Sequence, residues 1–152
     1  MMDGINLSLG IIELPVNGSR TIKFNPTDIN FIEILYSMLA KVESIERDKN
    51  KKLTKTEESK QFDVHRLASK RMEDAVDSVF GDGFCKDVFC GISLLAVNED
   101  TGLFLLEELV LLIVDRMDQS VMSAAKKRNA TIAKYTAKYK EHKNDLRPPD
   151  KP

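Results

Sequence analysis

Leu103-Phe104-Leu105-Leu106-Glu107-Glu108-Leu109-Val110-Leu111-Leu112-Ile113-Val114 is the most apolar run of this 152-residue chain. It has about two-thirds of the length a bilayer-spanning helix needs, and Glu107 and Glu108 interrupt it. That predicts a core helix rather than a membrane anchor. Apolar residues fall on nearly every face of it, which puts it at the centre of the fold. Asn98, Asp100 or Thr101 can cap this helix. Met117, Val121 and Met122 extend its stripe, giving a helix over about 100–125. The two glutamates read as the exposed edge of a core helix or as a polar contact to a partner.

Upstream, two further stripes at spacings of three and four accompany it. Ile32, Leu35, Leu39 and Val42, with Met38 and Ile45 beside them, predict a helix over about 26–46. Its start falls at Asn25-Pro26 or at Thr27. Residues 46–60 are strongly charged and read as a solvated helix end and loop, since Glu57 and Glu58 among the lysines argue against a nucleic-acid patch. Val64, Ala68, Met72, Ala75 or Val76, and Val79 predict a second helix over about 56–80. Gly81 is placed to end it, because glycine freely takes positive φ. Phe84, Cys85, Val88 and Phe89 around Lys86 and Asp87 suggest one or two helical turns closed by Gly91.

The start of the chain looks β. Ile11, Ile12, Leu14 and Val16 precede the turn signal Asn17-Gly18-Ser19, and Thr21 to Phe24 resume with Ile22 and Phe24 on one face. This predicts a hairpin within 5–24, with Pro15 marking an edge strand.

After Ala125 the character changes. Lys126, Lys127, Arg128, Lys134, Lys138, Lys140 and Lys143 accumulate, with Tyr135 and Tyr139 four apart, and three prolines close the chain. The expected class is therefore α+β and mainly α. An N-terminal β-hairpin packs on a bundle of about three main helices, in one globular domain over 1–125. A basic helical extension and Pro-rich tail occupy 126–152.

Composition sets limits on function. Hydrophobic residues make up 42% and charged residues 31%, so the body should fold. The net charge of −1 gives no global attraction to nucleic acid or an anionic membrane. Residues 1–10 lack a basic region and carry Asp3, unlike a signal peptide. The expectation is a soluble, intracellular protein. Cys85 and Cys90 lie in a C-x4-C spacing with no further cysteine, and His65 and His142 are far apart, which does not make a zinc site. The two cysteines read as buried or half-buried thiols, with a disulfide or a reactive thiol as the alternatives.

Gly81-Asp82-Gly83 lacks what a phosphate loop needs, and Asn98-Glu99-Asp100-Thr101-Gly102 lacks the calcium loop's length and terminal Glu. In the pairs Glu57-Glu58, Glu73-Asp74 and Glu107-Glu108, adjacent side chains on a helix diverge by about 100° and do not converge on a substrate. His65 has no nucleophile beside it. No catalytic, cofactor-binding or metal-ligating residue is assigned, and the expectation is a protein that is not an enzyme. The basic segment remains: Lys126, Lys127, Arg128, Lys134, Tyr135, Lys138 and Tyr139 are the candidate docking residues. They can serve an acidic protein surface, contact phosphates and bases, or simply solvate a helix end.

Several short stretches together carry a resemblance. Met2-Asp3-Gly4-Ile5-Asn6-Leu7-Ser8-Leu9-Gly10 and Phe24-Asn25-Pro26-Thr27-Asp28 resemble the start of tail assembly chaperones of long-tailed phages and prophages of Gram-positive bacteria. Val76-Asp77-Ser78-Val79-Phe80-Gly81-Asp82-Gly83 with Val88-Phe89-Cys90-Gly91 is similar to their middle signature, and Ile132-Ala133-Lys134-Tyr135-Thr136 to their ending. The leucine-rich residues 93–114 depart from the pattern. The resemblance implies a non-enzymatic cytoplasmic protein of the bacterial host cell. It would hold the tape-measure protein soluble, help recruit tail-tube protein, self-associate, and use no cofactor. It often implies two product lengths from a ribosomal frameshift. The alternatives are a small nucleic-acid-binding or regulatory protein using the basic end, and a structural tail component.

Overall fold

The computed structural model describes residues 4–145. Along them run strands β1 (Ile12–Val16) and β2 (Arg20–Phe24), then helices α1 (Ile29–Leu53), α2 (Glu58–Phe80), α3 (Phe84–Phe89) and α4 (Leu105–Asp145). The expected class, α+β and mainly α with an N-terminal hairpin, is what is observed.

β1 and β2 pair antiparallel with Leu14 opposite Ile22 and Ile12 opposite Phe24. This register points Ile22 and Phe24 into the core and leaves Glu13, Pro15, Thr21 and Lys23 in solvent. Asn17 and Gly18 both take positive φ, 50° and 68°, and Ser19 N–H donates to the Val16 carbonyl at 3.1 Å. Positive φ at both central positions is the type I′ turn that suits strand twist, and Asn-Gly is its preferred pair. The hairpin begins at Ile12, later than residue 5.

Helix α1 starts at Ile29, not at residue 26. Asn25-Pro26-Thr27-Asp28 forms a β-turn, closed by Asp28 N–H on the Asn25 carbonyl at 3.0 Å. Proline suits its second position. Asp28 then caps the helix, its carboxylate accepting the Asn30 N–H at 3.0 Å. The helix also outlasts residue 46 by two turns. No glycine or proline interrupts 46–53, Glu46 and Lys49 pair at 2.8 Å, and Lys51 and Lys52 favour the negative C-terminal end. Leu35, Met38, Val42 and Ile45 of α1 are buried, as are Ala68, Met72, Ala75 and Val76 of α2. These two helices form an antiparallel hairpin through a short connection at 54–57.

Asp77 joins three local structures. Its carbonyl accepts the Gly81 N–H at 2.7 Å and ends α2, and Gly81 has φ 116° as that end requires. Its carboxylate accepts the N–H groups of Gly83 at 3.2 Å and Cys85 at 2.9 Å, so it caps α3 from outside that helix. Helix α3 closes on Cys90 in the left-handed conformation, one residue before Gly91. The hairpin tip is fastened to the same place. Asn17 donates to the Val88 carbonyl at 3.2 Å, and Arg20 meets the Asp87 carboxylate at 2.7 Å and the Asp82 carbonyl.

Helix α4 begins at Leu105 because residues 98–101 are used in a turn. Gly102 N–H and Thr101 N–H both reach the Asn98 carbonyl, and Val97 bridges Phe104. The first N–H groups of α4, which a helix cannot satisfy itself, find outside acceptors. Leu105 donates to Ala96, Leu106 to Leu94, and Phe104 to the Glu107 carboxylate at 3.0 Å. Glu107 thus makes the returning half of a capping box, and Glu108 accepts from the Asn98 amide at 2.9 Å. Leu106, Leu109, Val110, Ile113 and Met117 line the buried face. The run 103–114 does occupy the core, yet Leu111 and Leu112 point away from it.

The helical extension expected after residue 125 is continuous with the core helix, and α4 runs to Asp145. Its buried positions end at Met117, with Ser120 half-buried, and residues 121–138 are exposed. Residues 146–152, expected as a tail, lie outside the described residues.

Candidate docking surfaces

Exposed apolar side chains are scattered over α1, α2 and the 92–104 segment, but two features gather them in series. The first is the arm of residues 4–11, which forms neither helix nor strand. Ile5, Leu7, Leu9 and Ile11 are 99%, 80%, 65% and 57% exposed. The segment is tied at its base, where the Asn25 amide donates to the Leu9 carbonyl at 2.8 Å. Gly10 (φ 67°) lies against that amide so closely that a Cβ there would sit 2.9 Å from it. The sequence pattern places the arm in the hairpin, whereas β1 starts only at Ile12. Its alternation of Ile, Leu, Leu and Ile with Asn6, Ser8 and Gly10 fits a strand, but β2 already holds one edge of β1 and the arm does not pair with the other.

The second feature is the projecting half of α4. Lys126, Lys127, Arg128, Lys134, Tyr135 and Lys138 are all exposed there. Tyr139 lies on the same helix, and its side chain is outside the described ones. At about 100° per residue these positions do not form one patch. Lys127, Lys134 and Lys138 make one row, Arg128 and Tyr135 fall in a neighbouring row, and Lys126 lies on another face. Sequence reading named these cations but missed that apolar residues of the same helix are exposed: Leu111 and Leu112 at 52% and 63% on the packed part, then Val121, Met122 and Ile132 on the projecting half. A signal existed for the first pair. A helix that buries one side cannot also bury five consecutive apolar residues, 109–113, which encircle it.

No family model, curated protein or solved structure matches the chain.

Among the described residues, no group of three or more His, Cys, Asp or Glu is placed to hold a metal ion. No helix there is long and apolar enough to cross a membrane. Both thiols are free; Cys85 is buried and Cys90 exposed, so the expectation of two covered thiols fails for Cys90, which sits at the solvent end of α3. Burial pushes the Cys85 thiol up, and the Asp77 hydrogen bond and the charges of Asp77, Glu73 and Asp74 push it further. A thiol so held stays protonated and is a poor nucleophile. His65 is exposed on α2.

Proposed function

We propose that this chain is a non-catalytic assembly chaperone of the bacterial cytoplasm, which keeps a long helical polypeptide of the phage tape-measure class soluble and helps bring tail-tube protein to it. The observation that carries this reading is the arm. Four large apolar side chains stand in solvent on a segment anchored by Asn25, a surface that gains by covering another polypeptide's apolar stripe. The sequence resemblance names the client class, and the long helix of α4 offers further contact area.

Co-expression tests it. The tape-measure polypeptide should stay soluble with the full chain and precipitate with a variant carrying Ile5→Ser, Leu7→Ser and Leu9→Ser. All three positions are exposed, so the variant should fold. Equal solubility of the client alone, or no complex on gel filtration, would sink the reading.

A second reading, nucleic-acid binding, is favoured by the row of Lys127, Lys134 and Lys138 beside Arg128 and Tyr135. It predicts affinity for a duplex that falls steeply with salt. The structural-component reading predicts instead that the chain remains in finished tails.

A further inference from the structure

Helix α4 carries a stripe that continues from the flank of the packed body onto the projecting half. Leu111, Val114, Asp118, Val121, Ala125, Arg128, Ile132 and Tyr135 recur at alternating steps of three and four, a heptad seam of about 3.5 residues. By helical geometry the seam lies roughly a third of a turn from the face that meets the core. Leu111, Asp118, Val121, Ala125, Arg128, Ile132 and Tyr135 are exposed, and Val114 is half-buried. The seam has two polar interruptions, one acid and one base.

We infer that α4 pairs with α4 of a second copy of this chain, antiparallel, about a twofold axis level with residue 123. In that register Leu111 faces Tyr135, Val114 faces Ile132, Asp118 faces Arg128 and Val121 faces Ala125, and twofold symmetry repeats each layer. Every layer joins an a position to a d position, as antiparallel coiled coils require. Both polar exceptions are thereby matched to each other. Sliding one helix by a heptad sets Asp118 against Val121 or against Tyr135, and Arg128 against Leu111 or Ala125, leaving both charges unmatched. A parallel pair sets Asp118 on Asp118 and Arg128 on Arg128.

The charge distribution along the helix points to the same occupant. Glu107, Glu108, Asp115 and Asp118 lie in its first half with Arg116 as the sole cation there. Lys126, Lys127, Arg128, Lys134, Lys138 and Lys140 lie beyond residue 125, with no acid before Glu141. Antiparallel pairing lays the acidic half on the basic half, and parallel pairing lays like on like. The layers Val121–Ala125 on either side of the axis are small and let the helices approach closely. A seam of strict heptad repeat drifts about 20° per heptad on a straight helix, so the pair winds into a left-handed supercoil. This dimer stands on the seam and the charge distribution of α4 and does not depend on the client reading.

Charge exchange tests it on the full chain by sedimentation equilibrium. The parent should sediment as a dimer of the 17.2 kDa chain at tens of micromolar. Asp118→Arg and Arg128→Asp should each weaken association tenfold or more, because each breaks both symmetric contacts. The double variant should return to within about threefold of the parent. All these positions are exposed, and circular dichroism checks that each variant folds. A monomeric parent at 100 micromolar overturns the proposal, whatever else the seam binds. So does a dimer indifferent to the single exchanges, which must use another surface, or a double variant no better than the singles, which excludes the antiparallel register. Client solubility responds to the arm variants, so the two readings fail separately.

Discussion

Replacing Asp77 with alanine removes one carboxylate and strands two backbone donors. The Cys85 N–H at 2.9 Å and the Gly83 N–H at 3.2 Å lose their acceptor at the start of α3. Helix α3 is short, and its four apolar side chains, Phe84, Cys85, Val88 and Phe89, are all buried. It cannot unwind to find water without exposing them. Loss of an N-cap side chain costs about 1–2 kcal/mol, and hydrogen bonds to a charged acceptor lie at the upper part of the ordinary range. Asp77 is only partly buried, so water recovers some of the loss. About 2 kcal/mol is expected. With a urea dependence of about 2 kcal/mol per molar, the midpoint should fall by roughly 1 M, and the melting temperature by roughly 4–8 °C. Asp77→Asn retains one acceptor oxygen and should lose about half as much. The assay is urea unfolding followed by circular dichroism, with alkylation of Cys85 as a local probe that should quicken in the alanine variant. A midpoint unchanged within about 0.2 M, outside fitting error, would mean that the carboxylate does not hold α3.

Leu109→Asp places a carboxyl in the core face of α4, where Leu109 is 8% exposed, and should cost about 4 kcal/mol; an unchanged melting curve would contradict that placement. A maleimide should label Cys90 quickly and Cys85 only on unfolding. The Cys85 thiol keeps its proton in the folded chain while the unfolded thiol loses it near pH 8.5, so stability is full below that pH and declines above it. Relative to Cys85→Ala, the parent should lose about 1.4 kcal/mol per pH unit between about pH 9 and 11; parallel pH profiles would refute this. A chain ending at Ala125 should keep most of its stability, since residues 121–138 are exposed, yet lose association and docking. If that truncation unfolds the protein, the projecting half is part of the core. Tyr135→Ala should weaken protein docking more than Lys134→Ala, whereas steep salt-sensitive duplex binding lost on truncation would favour nucleic acid.

Much of the fold was legible because apolar periodicity reports burial directly. Leu35, Met38 and Val42, then Ala68 and Met72, then Leu106, Leu109 and Ile113 could be placed from spacing alone. Boundaries were harder where two local preferences compete. Asn25-Pro26-Thr27-Asp28 satisfies both a helix cap and a β-turn, and the turn wins because Asp28 caps one step later. Residues 46–53 carry the charges of a loop and the propensity of a helix, and packing of Ile45 with the absence of Gly and Pro decides for helix. The arm was misread since alternation specifies a strand's faces but not whether a partner edge is there to pair with. At the candidate surface, the cations were legible as residue types. Their scatter around the helix follows only once α4 is known to be continuous, and the seam through Leu111, Val121 and Ile132 emerges only once those side chains are known to be uncovered.

An isolated peptide matching the far half of α4 would hardly be helical in water, because the first turn fixes several residues for a single hydrogen bond. Here that nucleus is supplied in advance. The turns from Leu106 to Met117 are fixed by the core, so residues beyond them extend an existing helix and bear only the small per-residue cost of propagation. Such a helix melts from its free end inward. In the monomer, amide exchange should therefore grade smoothly from slow at Ile113 to fast near Lys140 rather than step between two values. A glycine at Ala130 should shorten the protected length on its far side while leaving the near side unchanged. The core in effect sets how far a rigid rod can reach into solvent, about 37 Å for the 25 residues from Val121 to Asp145.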